Sequence, residues 1–410
     1  MSKKITSYPK DKIKVLLLEN ISDVAVDEFK TAGYTNIKRL SGALSESELA
    51  KEVKDVHLLG IRSKTLVTEK VLNSAKKLLS VGCYCIGVNQ VSMKSAVNHG
   101  VAVFNAPYSN TRSVAELVIG ASIMLIRRIP DKNKAAHNGI WLKEAKGSYE
   151  LRGKTIGIIG YGNIGSQVSV LTEAMGMKVL YYDIEPKLPH GTATQVRTLR
   201  DLVKKCDIIT VHVPGEAGTK NLINEKLFEH FRKGTIFINF SRGDVVDLDA
   251  LKRTIDKGII TGAAIDVFPE EPEKNGADFK SILQNLPNVI LTPHIGGSTE
   301  EAQMNIGLDV TSKMLNYLER GVTTGSHSVP ALSLPMQAKH RILHIHKNVP
   351  GVLGEINSKL SSHNINISAQ YLKTNDAIGY VVVDVDTALS KEALELLKTV
   401  NNTIKARMLY

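Results

Sequence analysis

Cysteine is scarce in this 410-residue chain, with only Cys83, Cys85 and Cys206. An odd, small number excludes a disulfide framework and fits a reducing compartment. Cys83-Tyr84-Cys85 has a single intervening residue, too few for the usual zinc spacing. Its apolar flanks read as a buried strand, so both thiols are expected in a core, and no metal site is read from the chain. Apolar runs of membrane-spanning length, about 20 residues, are also missing, and no membrane partner is expected. The first ten residues lack the apolar stretch of a signal peptide, so export is not expected and the cytoplasm is. The net charge of +11 has no basic tail and no basic segment interleaved with aromatics. Lysine and arginine are spread along the chain. Nucleic acid is therefore not an expected partner, and anionic ligands with solvated surface lysines account for the excess.

What is present is a glycine turn in a strongly patterned setting. Residues 155–165 read Thr-Ile-Gly-Ile-Ile-Gly-Tyr-Gly-Asn-Ile-Gly: a buried strand, a turn and the start of a helix. Gly160 permits the tight turn, Gly162 lets backbone approach a pyrophosphate, and Gly165 lets the helix pack on the sheet. The pyrophosphate is expected at the helix N-terminus, where free N–H groups and the positive end of the dipole meet it. Asp183 follows the next strand-like run, residues 178–182. Its carboxylate suits ribose hydroxyls and repels a 2′-phosphate, so the expected cofactor is NAD rather than NADP.

The rest of the chain alternates strand and helix patterns, the signature of parallel α/β sheets. In the first block, strands are expected at 13–18, 57–61 and 79–83, with helices at 22–32, 45–54 and 68–77. Residues 111–126 form a long apolar helix pattern of the kind found between domains or subunits. Strands at 155–159, 178–182, 207–211, 235–239, 261–265 and 288–291 make up a full doubly wound domain. Residues 299–318 repeat apolar side chains at successive helical turns. Residues 321–335 are rich in Gly, Ser, Thr and Pro and read as a connector. The tail then reads βαββαβ within about seventy residues, a ferredoxin-like module.

Three segments place polar residues just after strands, where open α/β sheets bind ligands. Arg242, in Ser241-Arg242-Gly243, has a planar fork suited to a carboxylate; the bland alternative is a surface arginine. Asp266 ends a strand, and Glu271 follows in a stiff Glu-Glu-Pro turn that could equally be a solvated acidic loop. His294 follows another strand and precedes two glycines. A histidine is more often structural, yet one with a carboxylate partner is a base tuned near neutral pH.

The glycine turn with Asp183, the Arg242 segment, Asp266-Val267-Phe268 with Glu271-Pro272, and Pro293-His294-Ile295-Gly296-Gly297 together resemble the D-isomer-specific 2-hydroxyacid dehydrogenases. The tail, with His346-Lys347-Asn348-Val349-Pro350-Gly351, resembles the ACT domain that ends the shorter bacterial members. The resemblance implies two doubly wound Rossmann-like domains plus a C-terminal ACT domain. Their expected bounds are 1–108 with 297–330 for substrate, 109–296 for NAD, a linker at 331–339 and the ACT domain at 340–410.

It also implies an activity, NAD-dependent oxidation of 3-phospho-D-glycerate to 3-phosphohydroxypyruvate, the first step of L-serine synthesis, with reduction of 2-oxoglutarate as a side activity. His294 is then the base, Glu271 its partner and Arg242 the carboxylate clamp. Cofactor contacts are implied at Gly160, Gly162, Asn163, Ile164, Gly165 and Asp183, at Val213, Pro214, Phe240, Ser241 and Arg242, and at Asp266, His294, Ile295, Gly296 and Gly297. Substrate contacts are implied at Arg62, Ser63, Asn110 and Lys143. L-serine as an allosteric ligand would meet His346, Asn348 and Asn366. A homo-oligomer, a tetramer, is expected, with the single tryptophan, Trp141, at a subunit interface rather than in a core. Two departures stand out. Ser41 lies where the bacterial type carries a lysine near the phosphate, with Arg39 as the neighbouring cation. Residues 336–340 lack a glycine pair that often forms a hinge. Other readings are a relative acting on another 2-oxo acid, and an NAD-sensing binding protein.

Overall fold

The computed structural model describes residues 9–272, 276–336 and 340–409. The chain forms two compact units, Met1–Ser109 with Gln303–Tyr410, and Asn110–Ala302. The start of the N-terminal segment, part of the expected linker (residues 337–339) and the final residue lie outside the described residues.

In the first unit, strands Val15–Leu17, Ile37–Arg39, Leu58–Ile61, Ser80–Cys83 and Ala102–Asn105 (β1–β5) form a parallel sheet ordered β2-β1-β3-β4-β5. β2 escapes sequence reading because it has three residues and stays half-exposed around Lys38. Helix Glu300–Arg320 returns to this sheet: Ile306, Val310, Met314 and Tyr317 join Val15, Leu17 and Phe104 in one apolar cluster. Gly82 is required there, because a Cβ would sit 2.4 Å from Met314 Sδ. Cys83 is fully buried in β4, and burial holds its thiol far above the usual range.

In the second unit, Thr155–Ile159, Lys178–Tyr182, Thr194–Gln195, Ile208–Val211, Thr235–Asn239, Ile260–Ile265 and Val289–Leu291 (β6–β12) form a parallel sheet ordered β12-β11-β10-β9-β6-β7-β8. Every paired strand in it runs parallel. The order reverses between β6 and β9, and that switch point is where a doubly wound sheet opens a crevice at its strand C-termini. Helix Thr111–Ile126 packs one face on this sheet, with Val114, Val118 and Leu125 against Ile156, Ile158 and Phe240. Its apolar character is thus largely spent inside its own unit rather than at a boundary.

The tail belongs to the first unit. Strands His340–Lys347, Ile367–Thr374, Ile378–Val385 and Thr403–Leu409 (β13–β16) form an antiparallel sheet ordered β14-β15-β13-β16, covered on one face by helices Val352–Ser362 and Ser390–Lys398. This is the ferredoxin-like βαββαβ arrangement. The other face is not free. Leu343, Ile345 and Tyr380 enter the same cluster as β1 and helix Glu300–Arg320. Arg407 donates to Leu318 O and Tyr317 O, Arg341 to Arg320 O, and Tyr380 to Gly321 O. Arg341, fully buried, also makes a two-point ion pair with Asp384 at 2.7 and 2.8 Å.

Residues 323–329, read from composition as a connector, are laced along β5. Ser328 Oγ bridges Val101 O and Val103 N, and His327 Nε2 meets Asn105 Oδ1 at 2.9 Å. These side-chain bonds reinforce a short antiparallel backbone bridge, in which Ser326 pairs with Phe104 and the His327 N–H donates to Val103 O at 2.9 Å. Among the described residues no helix is long and apolar enough to cross a membrane, and no cluster of three or more His, Cys, Asp or Glu side chains could hold a metal.

Candidate active site

The C-terminal ends of β10, β11 and β12 bring three of the expected residues to one cleft of about 380 Å³, with Arg242, Phe268, Glu271 and His294 in its wall. Asn239 ends β10 fully buried. Its Oδ1 accepts Ser241 N–H and O–H, and its Nδ2 donates to Arg242 O. That knot fixes the turn carrying Arg242. Gly243 is needed next, because a Cβ would come within 2.0 Å of the Phe268 carbonyl carbon. The two loops can touch only if one of them lacks a side chain.

His294 Nδ1 lies 2.8 Å from Glu271 Oε2. The other carboxylate oxygen, Oε1, accepts the Phe268 N–H at 3.0 Å, so Glu271 is tied to the loop after β11. The hydrogen bond to Glu271 raises the imidazole above its usual range, against the opposing effect of burial. Burial alone would raise the Glu271 carboxyl; hydrogen bonds from His294 and the Phe268 N–H outweigh it and hold it low. Nδ1–H thus points at the carboxylate, and Nε2 is left to exchange a proton with a ligand.

The loop that presents His294 is held from below by Asp266, 1% exposed. Its Oδ1 accepts Thr292 O–H at 2.6 Å and Ile295 N–H at 2.8 Å; its Oδ2 accepts Gly296 N–H at 2.7 Å. His294 itself has a left-handed backbone, φ +55, which this clamp maintains. Gly297 packs on Asn110, whose Nδ2 would lie 2.3 Å from an added Cβ. Asn239, Gly243 and Thr292 carry this architecture without being singled out by the sequence. For Gly243 the signal was its place directly after Arg242.

The same sheet edge has the fittings for a dinucleotide. Gly160 has φ +90, and a Cβ on it would meet His212 O at 2.5 Å. An added Cβ on Gly165 would meet Gly160 O at 2.2 Å, so the helix does pack that closely. At Gly162 nothing lies within 4 Å of that position. This open approach precedes helix Asn163–Ala174, where Asn163 and Ile164 form the first turn. Val213 and Pro214 follow β9, with Val213 beside Gly160, and Phe240, buried, follows β10. Asp183 Oδ2 accepts the Tyr161 N–H at 2.8 Å, fixing the carboxylate beside the turn with lone pairs to spare. These residues fit an adenosine diphosphate with free ribose hydroxyls. His212 is held neutral by burial, its pKa down to about 3.

Residues 119–296 match the D-isomer specific 2-hydroxyacid dehydrogenase, NAD binding domain family, and residues 342–405 match the AHAS small subunit-like ACT domain. Across 405 residues the chain is 50% identical to D-3-phosphoglycerate dehydrogenase of Haemophilus influenzae, covering 98% of this chain and 99% of that one. The chain belongs to the D-3-phosphoglycerate dehydrogenase branch of the D-isomer-specific 2-hydroxyacid dehydrogenases. The Escherichia coli member is 48% identical over 406 residues, covering 98% of this chain and 99% of its own. Among solved structures, D-lactate dehydrogenase from Aquifex aeolicus complexed with NAD and lactic acid superposes with a TM-score of 0.66 at 25% identity, over 78% of this chain and 100% of that one. As a D-3-phosphoglycerate dehydrogenase homologue, the chain is an NAD-dependent oxidoreductase with an ACT domain at its C-terminus.

The other expected residues are placed as follows. Arg62 and Ser63 lie in the other unit, in the turn after β3. Arg39 is already engaged, by Asp23 and by Asn20 Oδ1. Trp141 is 84% exposed in an irregular segment with Lys143, so it is no core anchor. In the tail, His346 is buried and pairs with Gly379 at one end of β15. Asn348 donates to Asn375 O at 2.7 Å. Asn366 precedes Ile367, which pairs with Val385 at the opposite end of β15, a separation of about 20 Å along the strand. Within one chain, then, Asn366 is not brought to His346 and Asn348.

Proposed function

We propose that the chain oxidises 3-phospho-D-glycerate to 3-phosphohydroxypyruvate as the first step of L-serine synthesis in the cytoplasm. The observation that carries the reading is the His294–Glu271 pair at 2.8 Å in one cleft with Arg242, in a chain so close to D-3-phosphoglycerate dehydrogenases. NAD, when bound, supplies the acceptor for the hydride on C2. Arg242 pairs with the substrate carboxylate through its planar fork. His294 Nε2 takes the proton of the C2 hydroxyl, and Glu271 stabilises the imidazolium that forms. In the reverse direction the same Nε2 returns the proton. Asp266 and Asn239 keep these groups oriented, and Asp183 favours NAD over NADP. Arg62, Ser63, Asn110 and Lys143 are the proposed substrate contacts.

L-serine is the proposed feedback ligand of the tail, at His346, Asn348 and Asn366. Because Asn366 lies at the far end of β15, the site we propose forms between two tails, with Asn366 contributed by a second copy. With the exposed Trp141 segment as another contact, two two-fold interfaces build a tetramer.

The test is turnover of 3-phosphohydroxypyruvate by NADH beside a panel containing 2-oxoglutarate, glyoxylate and a bulky 2-oxo acid, with and without L-serine. Preference for the phosphorylated acid and inhibition by serine are expected. Equal rates across the panel would remove the substrate assignment, and NADH binding without any turnover would favour a sensor.

A further inference from the structure

We infer that Glu19 is a positioning residue for the substrate's anionic end, acting through the loop that carries Arg62. The inference rests on the reading that Arg62 binds substrate. Glu19 follows β1, is 8% exposed, and has a left-handed backbone, φ +57, as does Asn20, φ +52. Two consecutive non-glycine residues in that region carry strain that something must offset. The offset is visible on both sides. The backbone N–H groups of Glu19 and Asn20 donate to Gly42 O and Leu40 O, at 3.1 and 3.2 Å. The carboxylate reaches the opposite way. Its Oε1 accepts the N–H groups of Arg62 and Thr65, at 3.0 and 2.9 Å, and its Oε2 accepts that of Lys64, at 3.0 Å.

Three convergent backbone N–H groups make an anion cradle. A phosphate could sit in it, but the chain's own carboxylate already does. The turn is therefore closed to ligand on its backbone side and presents its side chains instead. Gln90 Nε2 grips the same turn from its carbonyl side, donating to Arg62 O at 2.8 Å. Among the described residues the Arg62 guanidinium has no ion-pair partner, which leaves it available to an anion. Glu19, with Asn20 beside it, thus ties together the 40–42 and 62–65 segments.

The experiment measures KM for 3-phosphohydroxypyruvate, kcat and the NADH Kd in the full-length protein, as wild type, Glu19→Gln, Arg62→Ala and the double variant. Glutamine keeps one acceptor oxygen and turns an NH2 group toward a backbone N–H. Losing a charged acceptor shared by three donors is expected to raise KM about tenfold or more, with kcat changed far less and the NADH Kd unchanged. The double variant should be no worse than Arg62→Ala alone. Wild-type KM in Glu19→Gln, or losses that add in the double variant, would overturn the inference. An unchanged KM in Arg62→Ala would remove the substrate reading itself, and the positioning role with it. Should Glu19→Gln fail to fold, Glu19→Asp keeps the charge one methylene short. A smaller KM rise of the same kind is expected, and none at all would overturn the role.

Discussion

Asp266 in one unit and Glu19 in the other each gather three hydrogen-bond donors from a functional loop, but by different means. Asp266 stands directly behind β11, in the register of its strand, and catches a hydroxyl and two backbone N–H groups. In the proposed mechanism the loop it holds aims one imidazole nitrogen at one hydroxyl, so its fault would be angular. Glu19 reaches sideways from a left-handed backbone to three backbone N–H groups. In the role we propose, the loop it holds places the Arg62 charge for the substrate, so its fault would be one of attraction. Loss of the first should appear in kcat and loss of the second in KM.

The largest expected effect sharpens the first half of that contrast. His294→Ala should lower kcat by about a thousandfold at saturating NADH, the scale of general acid–base catalysis. A loss below tenfold would deny His294 its proton-transfer role. Next, Asp266→Asn should lower kcat by about a hundredfold with a smaller change in KM, because reacting atoms displaced by about 1 Å cost that much. A KM effect as large as the kcat effect would erase the distinction from Glu19.

The smallest effect is a shift in pH dependence. In the proposed mechanism reduction needs a protonated Nε2, and Glu271 holds the His294 pKa above its usual value. The rate of reduction should therefore be full at low pH and fall as pH rises through that raised pKa. Glu271→Gln should move the falling limb to lower pH, because the hydrogen bond and charge that raise the imidazole are lost. An unmoved limb would mean that the pair does not set the titration. Stability follows the same sign: the contribution of His294 is present below about pH 6.5 and lost as pH rises through the folded pKa.

Much of the nucleotide unit was legible because its signals are local. Gly160, Gly162 and Gly165 sit within one turn of chain, and apolar runs announce β6, β9 and β10. His294, Glu271 and Arg242 were legible as residues following strands, although only the fold brings 242, 271 and 294 together. Glu19 was not legible. Its contacts lie 43 to 46 positions away in the chain, and nothing in Leu18-Glu19-Asn20 announces a left-handed pair. Residues 323–329 misled for another reason: a composition of Ser, Thr and Gly signals a connector, yet here a backbone bridge and the Ser328 hydroxyl pin the segment to β5. The tail's pattern revealed its fold but not that its open face is used, because a half-apolar strand looks the same whichever partner covers it.

That last point bears on how the protein can be cut. A fragment ending near residue 336 would remove Arg407, Arg341 and Tyr380. The carbonyls that close helix Glu300–Arg320 would then lose their donors, and Met314, Tyr317 and Leu318 would lose part of their cover. A shortened version made for expression or crystal growth should therefore be sticky and hard to purify. A better plan is to keep the tail and probe the proposed serine site by single substitutions at the exposed Asn348 and Asn366.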